Sequence, residues 1–182
     1  FEEILDIINR HNIDLLSLHG RTVKDRYHGE VKYDLIAQAV KLVNSPVLAN
    51  GNIDSAATAL KILSQTGAAG VMVGRWAIGN PWIFNQIRQV LLSKPISAVP
   101  LAEVREYIDR LRLTPEAVKT PPRARAGHLK MYLNYIALLV DSEGNFLRLM
   151  RKTKTEVELL RLCDNILLNS NKYLALAPYS SN

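Results

Sequence analysis

Residues 45–92 read SPVLANGNIDSAATALKILSQTGAAGVMVGRWAIGNPWIFNQIRQVLL, and this stretch decides the fold. It holds two apolar runs too short for helices, PVLA at 46–49 and GVMVG at 70–74. Between them, residues 54–66 set apolar side chains at three- and four-residue spacing, with Asp54 as the N-cap. Upstream, IDLLSL at 13–18 and the helical pattern YDLIAQAVKLVN at 33–44 repeat the pair, and IGNPWIFNQIRQVLL closes the segment as another helix. Continuous apolar strands joined by helical crossovers predict a parallel sheet covered on both faces, either an open doubly wound sheet or part of a (β/α)8 barrel.

Beyond residue 92, SKPISAVP at 93–100 brings two prolines and two serines into the chain and breaks the helical pattern. A linker is expected there, between an α/β domain at 1–92 and an all-α domain at 101–182. The latter reads as helices over roughly 101–113, 124–140 and 153–168, separated by TPEAVKTPP and DSEGN.

The 182 residues are 48% hydrophobic and 22% charged, an ordinary globular balance that excludes disorder, collagen and a disulfide scaffold. No apolar run approaches the roughly 18–20 residues of a bilayer span, and the acidic start FEEILDIINR is unlike a signal peptide. The one cysteine, Cys163, has no partner within the chain, which fits a reducing compartment, and a cytoplasmic location is expected. Cys163 itself reads as a packed or half-exposed structural thiol. No metal site is expected. Of the net charge of +6, the second half carries nearly all. Between Lys119 and Lys154 stand Lys119, Arg123, Arg125, Lys130, Arg148, Arg151, Lys152 and Lys154, against only Asp141 and Glu143. With Tyr132 and Tyr135 interleaved, such a patch suits RNA phosphates and bases, the bland alternative being a solvated face over core tyrosines.

Each strand of the first half ends in a polar or glycine-containing cluster: His19-Gly20-Arg21-Thr22, Asn50-Gly51-Asn52 and Gly74-Arg75. In a parallel α/β fold these ends lie side by side, at the edge where ligands bind. Gly51 and Gly74 let the backbone approach a phosphate, Arg75 supplies counter-charge, and His19 can donate from its ring. Taken singly, each cluster is ordinary turn chemistry; aligned on one edge, they point to a phosphorylated cofactor.

The runs LSLHGRT, SPVLANGNI and GAAGVMVGRWAIGNPWIF, in this order and over about residues 13–92, closely resemble the C-terminal part of the barrel in tRNA-dihydrouridine synthases. The helix PPRARAGHLKMYLNYI resembles that family's Arg- and His-bearing helix. The resemblance implies the C-terminal part of a TIM barrel followed by a helical tRNA-binding domain. It implies FMN and NADPH as cofactors, tRNA as partner, and reduction of the C5=C6 bond of a flipped-out uridine, a cysteine supplying the proton. By resemblance, His19 contacts the flavin, Asn50, Gly51, Asn52, Gly74 and Arg75 hold its phosphate end, Arg21 lies near the uridine, and Arg123, Arg125, Lys130, Arg151 and Lys152 serve the tRNA. Many members carry aspartate where Asn52 stands.

A complete (β/α)8 barrel takes eight strands and typically about 250 residues. The chain opens on Phe1, in what reads as the middle of a helix, so an N-terminal truncation of about half the barrel is expected. The family's Asn-x-Gly-Cys-Pro stretch and its flavin-contacting lysine before HGRT do not occur in this sequence. No catalytic residue is therefore assigned, and the chain alone is expected to be inactive. Two alternatives stay open: another FMN-dependent TIM-barrel oxidoreductase acting on a small molecule, and a non-catalytic RNA-binding remnant of the fold.

Overall fold

The computed structural model describes residues 1–24, 29–169 and 171–177, which include every candidate site residue. The chain forms two compact units. One comprises Phe1–Trp76 and Ile83–Pro95, the other Ala77–Trp82 and Ile96–Asn182.

In the first unit the order is α1 (Glu2–Asn9), β1 (Leu16–His19), α2 (Tyr33–Leu42), β2 (Val47–Asn50), α3 (Ala56–Thr66) and β3 (Gly70–Met72). The short α4 (Trp76–Gly79) starts at the last residue of the segment Phe1–Trp76 and continues into the second unit, and α5 (Ile83–Leu91) belongs again to the first. The strands pair in parallel in the order β1-β2-β3, as strands joined by helices must. Leu18 lies opposite Ala49 and Ala49 opposite Val71; one residue on, His19 faces Asn50 and Asn50 faces Met72.

Burial alternates along the strands instead of running through them. Val47 and Ala49 are buried while Leu48 and Asn50 are half-buried, and Ser17, His19 and Met72 are exposed. Ile36 and Ala39 of α2 and Ala56, Ala59 and Ile62 of α3 are buried against this sheet. The expectation of a sheet covered on both faces is corrected accordingly: among the described residues α2 and α3 cover one face, and the other is part-buried to exposed. The apolar runs read as fully buried because Leu48 and Met72, on the other face, are apolar too. A second correction concerns α3, whose N-cap is Ser55 and not Asp54. The Ser55 hydroxyl accepts from the Thr58 amide at 3.1 Å, and the Asp54 carboxylate buttresses the turn by accepting from Thr58 Oγ1 at 2.6 Å.

The second unit is helical: α6 (Leu101–Arg112), α7 (Pro115–Lys119), α8 (Pro122–Val140), α9 (Asn145–Lys152) and α10 (Glu156–Leu167). Val104, Ile108, Leu133, Ile136, Phe146, Met150, Leu159, Cys163 and Leu167 form its core. Two of these helices fall where the sequence pattern suggested separators. Thr114 caps α7 with Pro115 in its first turn. The eight-residue α9 buries only Phe146 and Met150, four apart, too little for periodicity to register. The helix expected over 153–168 begins instead at Glu156, set by a capping box between Thr155 and Glu158. Cys163 is fully buried, and burial pushes its thiol up to about 12, so it is a packing residue. Among the described residues no helix is long and apolar enough to cross a membrane.

Segment 77–82 packs with the helical unit through both side chains and backbone. Trp82 Nε1 donates to Glu103 Oε1 at 2.9 Å, its ring meets Tyr107 edge-on at 5.8 Å, and Tyr107 Oη donates to the Ile78 carbonyl at 3.0 Å. Gly79 approaches α8 so closely that a Cβ would stand 2.9 Å from the Tyr135 carbonyl oxygen. Backbone cannot move aside as a side chain does, so Gly79→Ala should destabilise by about 1–3 kcal/mol, the usual cost of overpacking. Gly127, inside α8 with open space around its missing Cβ, is the control. Gly127→Ala should stabilise by about 0.5–1 kcal/mol. Urea midpoints of the two variants should move in opposite directions; shifts of the same sign would refute the Gly79 account.

Candidate functional site

Parallel register and strand length together bring the three polar clusters to one edge. His19 ends β1, Asn50 ends β2 opposite it, and Gly74 and Arg75 follow β3 by two and three residues. His19, Arg21, Asn50, Gly51, Asn52, Gly74 and Arg75 line a single cleft of about 210 Å³, with Ile53, Met72 and Trp76 completing the wall. Of these, Ile53, Met72 and Trp76 carried no chemical signal in the sequence; they enter because the strand ends place them there.

The turn after β2 has its own internal supports. Gly51 has φ +131° and Asn52 φ +50°, both in the region that disfavours side chains. Asparagine tolerates that conformation best among non-glycine residues, so Asn52 suits the turn. The Asn52 amide oxygen accepts from Arg21 Nη1 at 3.1 Å, and Tyr33 Oη donates to the Gly51 carbonyl at 2.9 Å. Tyr33 was not singled out from sequence, being the first residue of α2 and far from any motif. A Cβ on Gly74 would meet nothing within 4 Å, so its bareness is not required by packing among the described residues.

Electrostatically the cleft favours anions. Burial, then the charges of Arg21 and Arg75, hold the His19 imidazole below its ordinary value of 6.5. A neutral imidazole keeps one N–H to donate. The same field that disfavours an imidazolium attracts an anion, and a cation, a ring donor and an unobstructed glycine stand on one wall.

In the helical unit the cations sort into two groups. On α6 they are neutralised: Arg105 pairs with Asp109 at 2.7 Å and Asp164 at 2.6 Å, Arg110 with Glu106 at 3.6 Å, and Arg112 with Glu156 at 2.8 Å and Asp109 at 3.1 Å. Burial alone would raise Asp109, but the hydrogen bonds and charges of Arg105 and Arg112 leave it below the usual carboxylate range. By contrast Arg123, Arg151, Lys152 and Lys154 are exposed and pair with no carboxylate among the described residues. Arg125 is partly spent on the Thr120 carbonyl at 3.1 Å. Lys130 Nζ donates to the carbonyls of Arg151 at 3.2 Å and Thr153 at 2.5 Å. Tyr132 and Tyr135 are half-buried, Tyr132 lying edge-on to His128 at 5.5 Å.

Comparison with known proteins bears on both units. The family model for dihydrouridine synthase matches residues 1–171. Among relatives, tRNA-dihydrouridine synthase B of Pseudomonas syringae pv. tomato is 42% identical over 106 residues, covering 58% of this chain and 32% of the relative. The protein of the same name from Pseudomonas aeruginosa is 43% identical over 97 residues, covering 53% and 29%, and that from Escherichia coli K12 39% identical over 108, covering 59% and 34%. The matched segment thus spans about a third of each relative's length. With the family model extending over residues 1–171, the chain belongs to the dihydrouridine synthase family.

Proposed function

We propose that this chain supplies the flavin-phosphate edge and the RNA-holding helices of a cytoplasmic tRNA-dihydrouridine synthase, its α/β unit being the C-terminal part of a TIM barrel over 1–92 and its helical unit the tRNA-binding domain over 101–182. The observation that carries this reading is the convergence of His19, Asn50, Gly51, Asn52, Gly74 and Arg75 on one cation-lined cleft. When bound, FMN supplies the hydride for the C5=C6 bond of uridine and is recharged by NADPH. In this reading Arg75 balances phosphate charge, backbone at Gly51 and Gly74 permits close approach, and neutral His19 donates to the flavin. Arg21, tethered to Asn52, is assigned to the uridine in this reading.

The proton for the uridine ring must come from a competent acid. Cys163 does not qualify: it lies in the helical core, and a thiol pushed up to about 12 yields its proton poorly. The acid in this reading is the cysteine of the family's Asn-x-Gly-Cys-Pro stretch, which this sequence does not contain, and the isolated chain does not turn over. A different FMN barrel acting on a small molecule leaves the unpaired cations of the helical unit without a role.

Three outcomes check the proposal. In NMR titrations the His19 ring should ionise below 6.5 in the free chain. Arg75→Ala should raise that midpoint by removing a repelling charge, whereas inorganic phosphate or FMN should raise it by attracting the imidazolium. Binding that raises the midpoint takes up protons at His19, so the imidazole's contribution to anion affinity grows as the pH falls through that raised midpoint. An unmoved midpoint with both ligands would discard the phosphate site. Gly74→Ala should leave the unfolding free energy within about 0.5 kcal/mol of the parent, as a substitution into open space does, yet weaken FMN binding. Equal FMN affinity would remove Gly74 from the site. Finally, Arg123, Arg125 and Arg151 replaced together by Ala should weaken tRNA binding and flatten its log-log salt dependence by roughly 0.7–0.9 for every phosphate that is no longer neutralised. Unchanged affinity would reject the basic face as the RNA surface.

A further inference from the structure

The corner between α9 and α10, residues 151–155, is fixed from both sides. Thr153 N and Oγ1 both donate to the Met150 carbonyl, at 3.3 and 2.8 Å, closing the end of α9. The Glu158 carboxylate accepts the amides of Lys154 at 2.8 Å and Thr155 at 3.4 Å, and the Glu158 amide donates to Thr155 Oγ1 at 3.2 Å, opening α10. Two carbonyls at the corner, those of Arg151 and Thr153, accept from Lys130, which reaches across from α8. Backbone donors there are consumed internally, so the corner's attraction for anions comes from side chains. Three of those are cations, Arg151, Lys152 and Lys154, all exposed and in no ion pair among the described residues, although the Lys154 charge is felt by the Glu158 carboxylate.

We propose that this corner is a preorganised phosphate-binding element for RNA, in which Arg151, Lys152 and Lys154 meet the phosphates and Lys130 is a positioning residue that does not touch the RNA. The inference rests on the RNA-binding reading of the helical unit and assigns its parts. Three cations within four residues, on a backbone held by hydrogen bonds from three helices, lose only side-chain freedom when they meet a sugar-phosphate chain. Lys130 has already committed its ammonium to two carbonyls at a helix C-terminus, where a cation is favoured by the local dipole. Moving it to a phosphate would uncap α9 and loosen the corner it holds.

Lysine acylation of the unaltered 182-residue chain, with and without tRNA, tests the assignment directly. Lys152 and Lys154 should react readily in the free chain and become protected by tRNA, while Lys130 should react slowly in both states. Rapid reaction of Lys130 that tRNA suppresses would overturn its positioning role. Failure of tRNA to protect Lys152 and Lys154 would overturn the corner as a binding surface. If tRNA at low salt protects no lysine of the helical unit, the RNA-binding reading itself fails, an outcome distinct from protection elsewhere on the unit. A double-mutant cycle adds a second reading. Lys130→Met should lower tRNA affinity about threefold or more in the parent, but less than about 1.5-fold when Arg151, Lys152 and Lys154 are already Ala. It should also speed amide exchange at Lys154 and Thr155 in the absence of RNA. Equal reductions in both backgrounds, with the salt slope smaller by about 0.7–0.9, would make Lys130 a direct phosphate ligand.

Discussion

Parallel pairing of β1, β2 and β3 sets His19 opposite Asn50 and Asn50 opposite Met72, and the anion cleft depends on that row. A slip of one residue in either pairing would turn a strand's polar end toward the helices and its apolar residues outward. The register is protected because Val47 and Ala49 are buried against α2 and α3. Each wall of the cleft is therefore held by hydrophobic burial on the opposite face of the same sheet. Within the cleft, the tethers from Arg21 to Asn52 and from Tyr33 to Gly51 fix a turn whose backbone sits in an unfavourable region, so local strain is offset where a ligand needs the chain to be rigid.

Much of this was legible in the sequence, for a physical reason. His19, Asn50, Gly74 and Arg75 each stand where an apolar run stops, and a parallel sheet makes such stops neighbours in space without further information. The N-cap of α3 was less legible, since Asp54 and Ser55 are adjacent and both suited; only the backbone angles decide which one caps. α9 was invisible because two buried side chains in eight residues leave no period to detect. The role of Lys130 was invisible in another way. Nothing local distinguishes a lysine that caps a helix 21 residues away from one that waits for a phosphate.

Charge followed the same division. The count of cations between Lys119 and Lys154 marked the region but did not separate neutralised from available charge. α6 shows what neutralisation looks like: Arg105 and Arg112 share Asp109 and reach Asp164 and Glu156 on α10. Those pairs tie two helices together, whereas among the described residues Arg151, Lys152 and Lys154 form no such ion pair.

Segment 77–82 lies in the chain between two parts of the α/β unit, yet its packing belongs to the helical unit. The polypeptide enters the helical unit at Ala77, leaves it at Ile83 and returns at Ile96. A cut in the proline-containing stretch 93–100 would therefore not yield two self-sufficient halves. A helical piece starting at Ile96 would lack the Ile78 carbonyl for Tyr107 and the Trp82 indole for Glu103, leaving a groove on α6 and α8 where Gly79 had been pressed. The two units are thus interlaced by covalent connectivity, and domain dissection, permutation or fusion of this protein has to carry the hexapeptide Ala77–Trp82 with the helices.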